Sequence, residues 1–286
     1  MSVTCSTQRL MVNTPEGDKA MAYHHWQSPA SDALLICCHG LTHNGRFFDE
    51  LASELADRYH VICPDVLGRG DSAWLEQGEH YGYPLYVSIA TQLIQTVQQH
   101  LQISQLDWLG TSMGGLIGLL LEASQPGCVR KLVLNDVGIH IPLAALQRIG
   151  AYVGQKRSFA SLDEAEAEFR IIAAPFGALT DAQWRALTLR MFRQNSGGDW
   201  HYRYDPQISL AFNDLQQDVD LSVPWQAVQC PVLVLRGSNS DVLTADTAAL
   251  MGQREGVDVI EMTGCGHAPT LMSADQIQLV KQYLSF

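Results

Sequence analysis

The chain is short of basic residues. Its 286 positions hold 18 Lys and Arg against 30 Asp and Glu, a formal net charge of −12. A surface that grips nucleic acid or rests on an anionic membrane needs basic patches, so this balance argues against both. Charged residues are scarce overall, at 17%, while 47% are hydrophobic, which excludes a disordered chain. Long apolar runs are missing too. The longest, Leu116-Ile117-Gly118-Leu119-Leu120-Leu121, falls far short of the ~20 residues that cross a bilayer. The stretch through Lys19 has no apolar core of signal-peptide length. The seven cysteines include no CxxC pair, and Cys37, Cys38 and Cys63 lie in apolar runs. They read as reduced, mostly buried thiols of a cytoplasmic protein, not as a disulfide or zinc framework.

What the chain does have is rhythm. Short runs rich in Val, Ile, Leu and Cys recur at Ala33–Cys38, Val61–Cys63, Leu106–Leu109, Lys131–Leu134, Val232–Leu235 and Val257–Met262. Continuous apolar runs of this length suit strands buried on both faces of a parallel sheet. Helical patterns lie between them. Phe47, Leu51 and Leu55 repeat at i+4, Tyr86–Leu101 follows Pro84, and Ser112–Ala123 is apolar nearly all round. A last helix after Pro269 carries Ile277, Val280 and Leu284 on one face. The alternation predicts an α/β fold, with a mainly parallel twisted sheet flanked by helices. Gln8–Val12 and Lys19–Trp26, around a turn at Pro15-Glu16-Gly17-Asp18, predict an antiparallel hairpin at the sheet edge.

The rhythm stops at Ile139 and resumes at Cys230. Between His140 and Asp220 no strand-like apolar run is found, only helical stretches at Leu143–Tyr152, Leu162–Ile172 and Asp181–Arg193, then turn residues Asn195-Ser196-Gly197-Gly198. This is too long for an ordinary loop. It predicts a helical cap, residues 140–220, inserted after the sixth strand of a core made of residues 1–139 and 221–286.

Gly110-Thr111-Ser112-Met113-Gly114 fits G-x-S-x-G. Alone the pattern is weak, but here it sits between a predicted strand and a predicted helix, the strained turn that exposes a nucleophilic serine. A serine hydroxyl needs a base within hydrogen-bond reach. In this arrangement the acid and then the base follow later in the chain. Asp241 lies just past the run Val232–Leu235 and His267 just past Val257–Met262, both at carboxyl ends of strands, where open α/β sheets place their sites. A tetrahedral intermediate also needs two N–H donors. Met113, directly after the serine, is one candidate; Leu41, in His39-Gly40-Leu41-Thr42-His43 after the run Ala33–Cys38, is the other. His39 and His43 stand four apart, but Gly40 marks a loop and no glutamate completes a zinc motif.

HG after the third strand, CPDVLGRGDS after the fourth, GTSMGG, NDVG before the insert, RGSNSD and GCGHAP fall in one order along almost the whole chain. In this the sequence resembles the α/β-hydrolase superfamily, closest to bacterial serine carboxylesterases with H-G-L-T near the oxyanion loop and a helical cap. The resemblance implies a triad of Ser112, His267 and Asp241, with oxyanion donors at Leu41 and Met113. It implies no metal and no organic cofactor. The Arg-Gly-Asp within Gly68–Ser72 looks like the family's loop after the fourth strand, not an adhesion site. Asp136, in NDVG, is the rival acid, since some members of the fold take theirs from that position; R-G-S-x-S-D favours Asp241.

The expected activity is hydrolysis of carboxylic esters, of modest size or with an acyl chain, through an acyl-enzyme on Ser112, with a small-molecule substrate as partner and neither nucleic acid nor membrane. Carbon–carbon bond hydrolases and lactonases of the same fold are the alternative. The former usually have asparagine before the serine and an aromatic residue after the histidine, where this chain has Thr111 and Ala268. A non-catalytic ligand-binding protein is the rival from another class. Phe176, Trp184, Phe192, Trp200, Tyr202 and Tyr204 in the insert are expected to divide between packing and the wall of an apolar pocket.

Overall fold

The computed structural model describes residues 4–27 and 31–285. In chain order the first elements are strands β1 (Thr4–Thr14), β2 (Gly17–Gln27) and β3 (Ala33–Cys38), then helix α1 (Asp49–Leu55) and strand β4 (His60–Pro64). They are followed by α2 (Tyr83–Leu101), β5 (Gln105–Thr111), α3 (Met113–Ser124) and β6 (Lys131–Asn135). The insert holds β7 (His140–Ile141), α4 (Leu143–Gly150), α5 (Leu162–Ile172), α6 (Asp181–Met191), β8 (Phe192–Gln194), β9 (Trp200–Tyr202) and β10 (Val219–Asp220). The chain closes with α7 (Ser222–Ala227), β11 (Val232–Gly237), α8 (Ala245–Met251), β12 (Val257–Met262) and α9 (Ala274–Leu284).

Eight strands form one sheet in the order β1-β2-β4-β3-β5-β6-β11-β12. From β4 to β12 every pairing is parallel, and the β1–β2 hairpin joins the β4 edge antiparallel. The alternation along β3 explains its unbroken apolar run. Leu34, Ile36 and Cys38 join the core on one face of the sheet, and Ala33, Leu35 and Cys37 join the core on the other. Val257–Met262 differs from expectation. As β12 it is the last strand of the sheet, and most of its residues are half or fully exposed. The seven cysteines are all free, and Cys37, Cys38, Cys63 and Cys265 are buried.

The chain leaves β3 for β4 on one side and β5 on the other. Such a reversal opens a crevice at the carboxyl ends of the two central strands, and the loops after β3 and β5 meet there.

The insert leaves and rejoins the sheet at a single point, where His140 pairs with Asp220 and Ile141 with Val219. Its helices follow their sequence patterns, with α6 started by a capping box between Thr180 and Gln183. Two expectations need correction. Arg193 is not helical: α6 stops at Met191, and Phe192 turns extended. The insert also contains strands, since β8 and β9 pair antiparallel around Asn195–Gly198. Three-residue strands with mixed polarity leave too little pattern to be seen in sequence. Phe169, Trp184 and Phe192 pack edge to face in the interior of the insert. Trp184 and Phe192 are therefore packing residues, while Phe176, Tyr202 and Tyr204 also face the cavity described below.

Candidate active site

Ser112 stands between β5 and α3 with φ at +51°, a left-handed conformation costly for any side chain but glycine. The turn is held from both sides. Ser112 N–H donates to the Asn135 carbonyl, and the Ser112 carbonyl accepts from Gly115 and Leu116 N–H. Such a turn is possible only because backbone runs against backbone here. A Cβ on Gly110 would lie 2.2 Å from the Gly114 carbonyl, and one on Gly114 would lie 2.0 Å from the Cys38 carbonyl oxygen.

The serine hydroxyl meets His267 Nε2 at 2.9 Å, and His267 Nδ1 meets Asp136 Oδ2 at 2.7 Å. With the carboxylate fixing the proton on Nδ1, Nε2 is left to accept the Ser112 hydroxyl. Asp136 follows β6 directly and, like the serine, has a positive φ, +57°. Its carboxylate is fully buried and fully employed: Oδ1 accepts Gly237 N–H at 2.7 Å, and Oδ2 accepts the Ser240 hydroxyl at 2.6 Å as well as the histidine. Gly266 N–H, beside the histidine, donates to the Pro175 carbonyl of the insert at 2.6 Å.

The acid expected from the sequence is thereby corrected. Asp241 does not reach His267; it forms a two-pronged ion pair with Arg148 of α4 at 2.5 and 2.8 Å, about half exposed. Burial alone would raise its carboxyl pKa, but the hydrogen bond and charge of Arg148 more than offset this and hold it below the usual range. The physical reason is the loop after β11. Its Ser240 turns inward to Asp136, which sends the next side chain outward. Ser240 and Asn135 were missed by sequence reasoning. Asn135 donates to the Thr111 hydroxyl and the Pro269 carbonyl, tying the serine turn to the histidine loop.

The expected donors lie beside the serine. Leu41, Ser112 and Met113 line one cavity. Met113 opens α3, so its N–H has no acceptor within the helix. Among the described residues, Leu41 N–H also has no acceptor. The loop carrying Leu41 is fixed by buried groups. Arg69, fully buried, donates to the Leu41 carbonyl at 2.9 Å and to Tyr86, with its guanidinium over the Tyr81 and Tyr86 rings. Of the Arg-Gly-Asp sequence, Arg69 and Gly70 are buried and only Asp71 is exposed. His39 accepts Val66 N–H on Nε2 and donates from Nδ1 to the Gly40 carbonyl. His43 stacks on Phe47 with its Nδ1 buried and unpartnered. Burial lowers both, His39 to about 4 and His43 to about 3, so both rings are neutral near pH 7. Among the described residues no group of three His, Cys, Asp or Glu side chains is placed to hold a metal ion.

Two cavities meet at Ser112. A small one of about 70 Å³ touches His43, His267, Phe176 and Arg157. An apolar one of about 360 Å³ runs beneath α4, past Met113, Leu116, Val137, Leu146 and Ile149.

This fold, with a serine on a strained turn and a histidine and a buried aspartate in line behind it, is that of the α/β hydrolases. The chain belongs to the α/β hydrolase family, whose model matches residues 35–278. A 3-hydroxybutyrate-oligomer hydrolase of Cupriavidus necator is 41% identical over 282 residues, 95% of each chain. An esterase of Mycobacterium tuberculosis is 27% identical over 257 residues, covering 86% of this chain and 80% of its own. The solved structure of an α/β hydrolase from Novosphingobium aromaticivorans aligns with a TM-score of 0.86 at 30% identity, covering 97% of both chains. The protein is a hydrolase of this family. Among the described residues no helix is long and apolar enough to cross a membrane.

Proposed function

We propose that the protein hydrolyses carboxylic esters through an acyl-enzyme on Ser112. One observation carries this reading: the unbroken line from Asp136 through His267 to Ser112, at 2.7 and 2.9 Å. Ser112 Oγ attacks the ester carbonyl as His267 Nε2 takes its proton. The oxyanion forms between the N–H groups of Leu41 and Met113, which cost no reorganisation at that moment. Asp136 holds the imidazole tautomer and stabilises the imidazolium. His267 then protonates the leaving alkoxide, and the alcohol departs. Water, losing its proton to the same histidine, attacks the acyl group and releases the acid with Ser112 restored. The insert serves as a lid over both cavities.

The similarity to a 3-hydroxybutyrate-oligomer hydrolase supports short hydroxy-acid oligomers as the substrate class. Such oligomers are carboxylic esters with small apolar side groups, matched by the apolar cavity. The free thiols fit a cytoplasmic location.

The deciding experiment is turnover of nitrophenyl esters of increasing acyl length by wild type and Ser112→Ala. Wild type is expected to turn over the short esters and to be labelled by a fluorophosphonate. The variant is expected to keep its melting temperature and to fall to the residual ~10³–10⁴-fold rate over water that a site without its nucleophile retains. A variant with half the wild-type kcat would remove Ser112 from the mechanism.

A further inference from the structure

Beside the small cavity over Ser112 lies a larger depression of about 560 Å³. The two share Arg157, Tyr202 and Tyr204 as a common wall. Apart from Trp74, the depression is built entirely from the insert, and Lys156 and Arg193 line it too.

Three cations therefore line one depression on a chain of net charge −12. Arg157 is paired with Glu168 and bonded to Gln155. Among the described residues, neither Lys156 nor Arg193 has a carboxylate partner; the Arg193 guanidinium lies 5.2 Å from the centre of the Trp74 ring. The carboxylate on this wall, Asp205, is buried and occupied by the Tyr81 hydroxyl at 2.8 Å and Gln207 N–H at 3.0 Å. The Tyr202 hydroxyl, on the shared wall, is buried without a partner. Cations gathered with little compensation raise the local concentration of an anion, and a free hydroxyl on the wall offers it a donor.

The side of the site matters as much as the charge. His267 lines the small cavity and not the apolar one. The histidine must hand its proton to the leaving oxygen, so the alcohol portion of an ester lies on its side, toward Arg157 and the depression. We propose that the depression receives a free carboxylate on the alcohol portion of the substrate, with Lys156 and Arg193 as its main attractors. The enzyme then selects esters whose leaving group is itself a hydroxy acid, and cuts oligomers from the carboxylate end. This rests on the ester-hydrolase reading above and adds no covalent step to it.

The test compares the linear dimer of 3-hydroxybutyrate with its terminal carboxamide, a neutral near-isostere. In wild type the kcat/KM ratio of acid to amide is expected to be about tenfold or more, and to shrink as salt is raised. In Lys156→Ala/Arg193→Ala the ratio is expected to approach one, while Lys156→Arg/Arg193→Lys retains it. General damage to the protein cancels in the ratio. A double alanine variant with the wild-type ratio overturns the proposal. So does a wild type that cleaves nitrophenyl butyrate yet has no preference for the acid, an outcome that leaves the ester-hydrolase reading standing. A wild type that cleaves none of the three esters overturns both.

Discussion

Asp136 and Asp241 follow neighbouring strands and carry the same functional group, yet their surroundings give them different work. In the proposed mechanism Asp136 acts through the histidine, so Asp136→Asn is expected to lower kcat by about 10⁴ by disturbing the tautomer. Asp241→Asn removes one member of a half-exposed ion pair and is expected to change kcat by less than about tenfold. Steady-state kinetics and pH–rate profiles of both variants, with thermal melts as a control, check this. Near-complete inactivation by Asp241→Asn alone would reverse the assignment. The serine turn and the histidine that meets it were legible in sequence because each has a local signature at the end of a strand. The acid was not, because N-D-V-G and R-G-S-N-S-D satisfy the same order, and only the inward turn of Ser240 separates them. His39 and His43 carry a different consequence. Their folded pKa values, about 4 and about 3, lie below the ordinary 6.5, so the unfolded chain binds more protons between these limits. The stability that each contributes is complete above pH 6.5 and is lost as pH falls toward the folded value. The urea midpoint is therefore expected to drop from pH 6.5 to 4, and His43→Gln to flatten that slope by about 1.4 kcal/mol per pH unit. A His43→Gln slope equal to wild type would assign the loss to other groups.

Among the elements, α3 has least room. Gly114→Ala would drive a methyl group into the Cys38 carbonyl, separating α3 from β3 and the serine from the loop of Leu41. Overpacking of this kind costs about 1–3 kcal/mol. The substitution is expected to lower the melting temperature and to impair turnover more than Gly127→Ala, where a Cβ meets nothing, although the positive φ there adds strain of its own. Equal activity in the two variants would show that the approach of α3 to β3 is not what sets the site. The long strands and helices could be read from sequence because burial on one or both faces imposes a period on them. The β8–β9 hairpin, the exposed edge of β12 and the two cavities could not. They depend on what packs across from them, which no local pattern records.

On the scale of the whole molecule, sheet and insert differ in how they are held. The central strands are hydrogen-bonded on both sides, whereas α4 buries only Ala145 and Ile149 and meets the β11 loop through the half-exposed Arg148–Asp241 pair. Leu146 and Ile149 of α4 line the apolar cavity that reaches Ser112. Amide exchange is expected to be faster from Leu143 to Arg157 than in β3, β5 and β6, with Asp241→Asn speeding it further. Equally slow exchange in both regions would mark the insert as a fixed part of the core. The place where the insert joins the sheet reaches beyond this protein's own catalysis. Its two ends lie side by side, pinned by the β7–β10 pairing and by Leu221 N–H on the Ile139 carbonyl at 2.7 Å. Ser112, Asp136 and His267 all fall outside it. The insert is therefore one uninterrupted stretch of coding sequence that supplies part of the wall around the site, while the proposed catalytic residues lie in the two stretches that flank it. A relative's insert spliced between Ile139 and Leu221 could bring its taste in substrates with it while the inherited chemistry stayed in place.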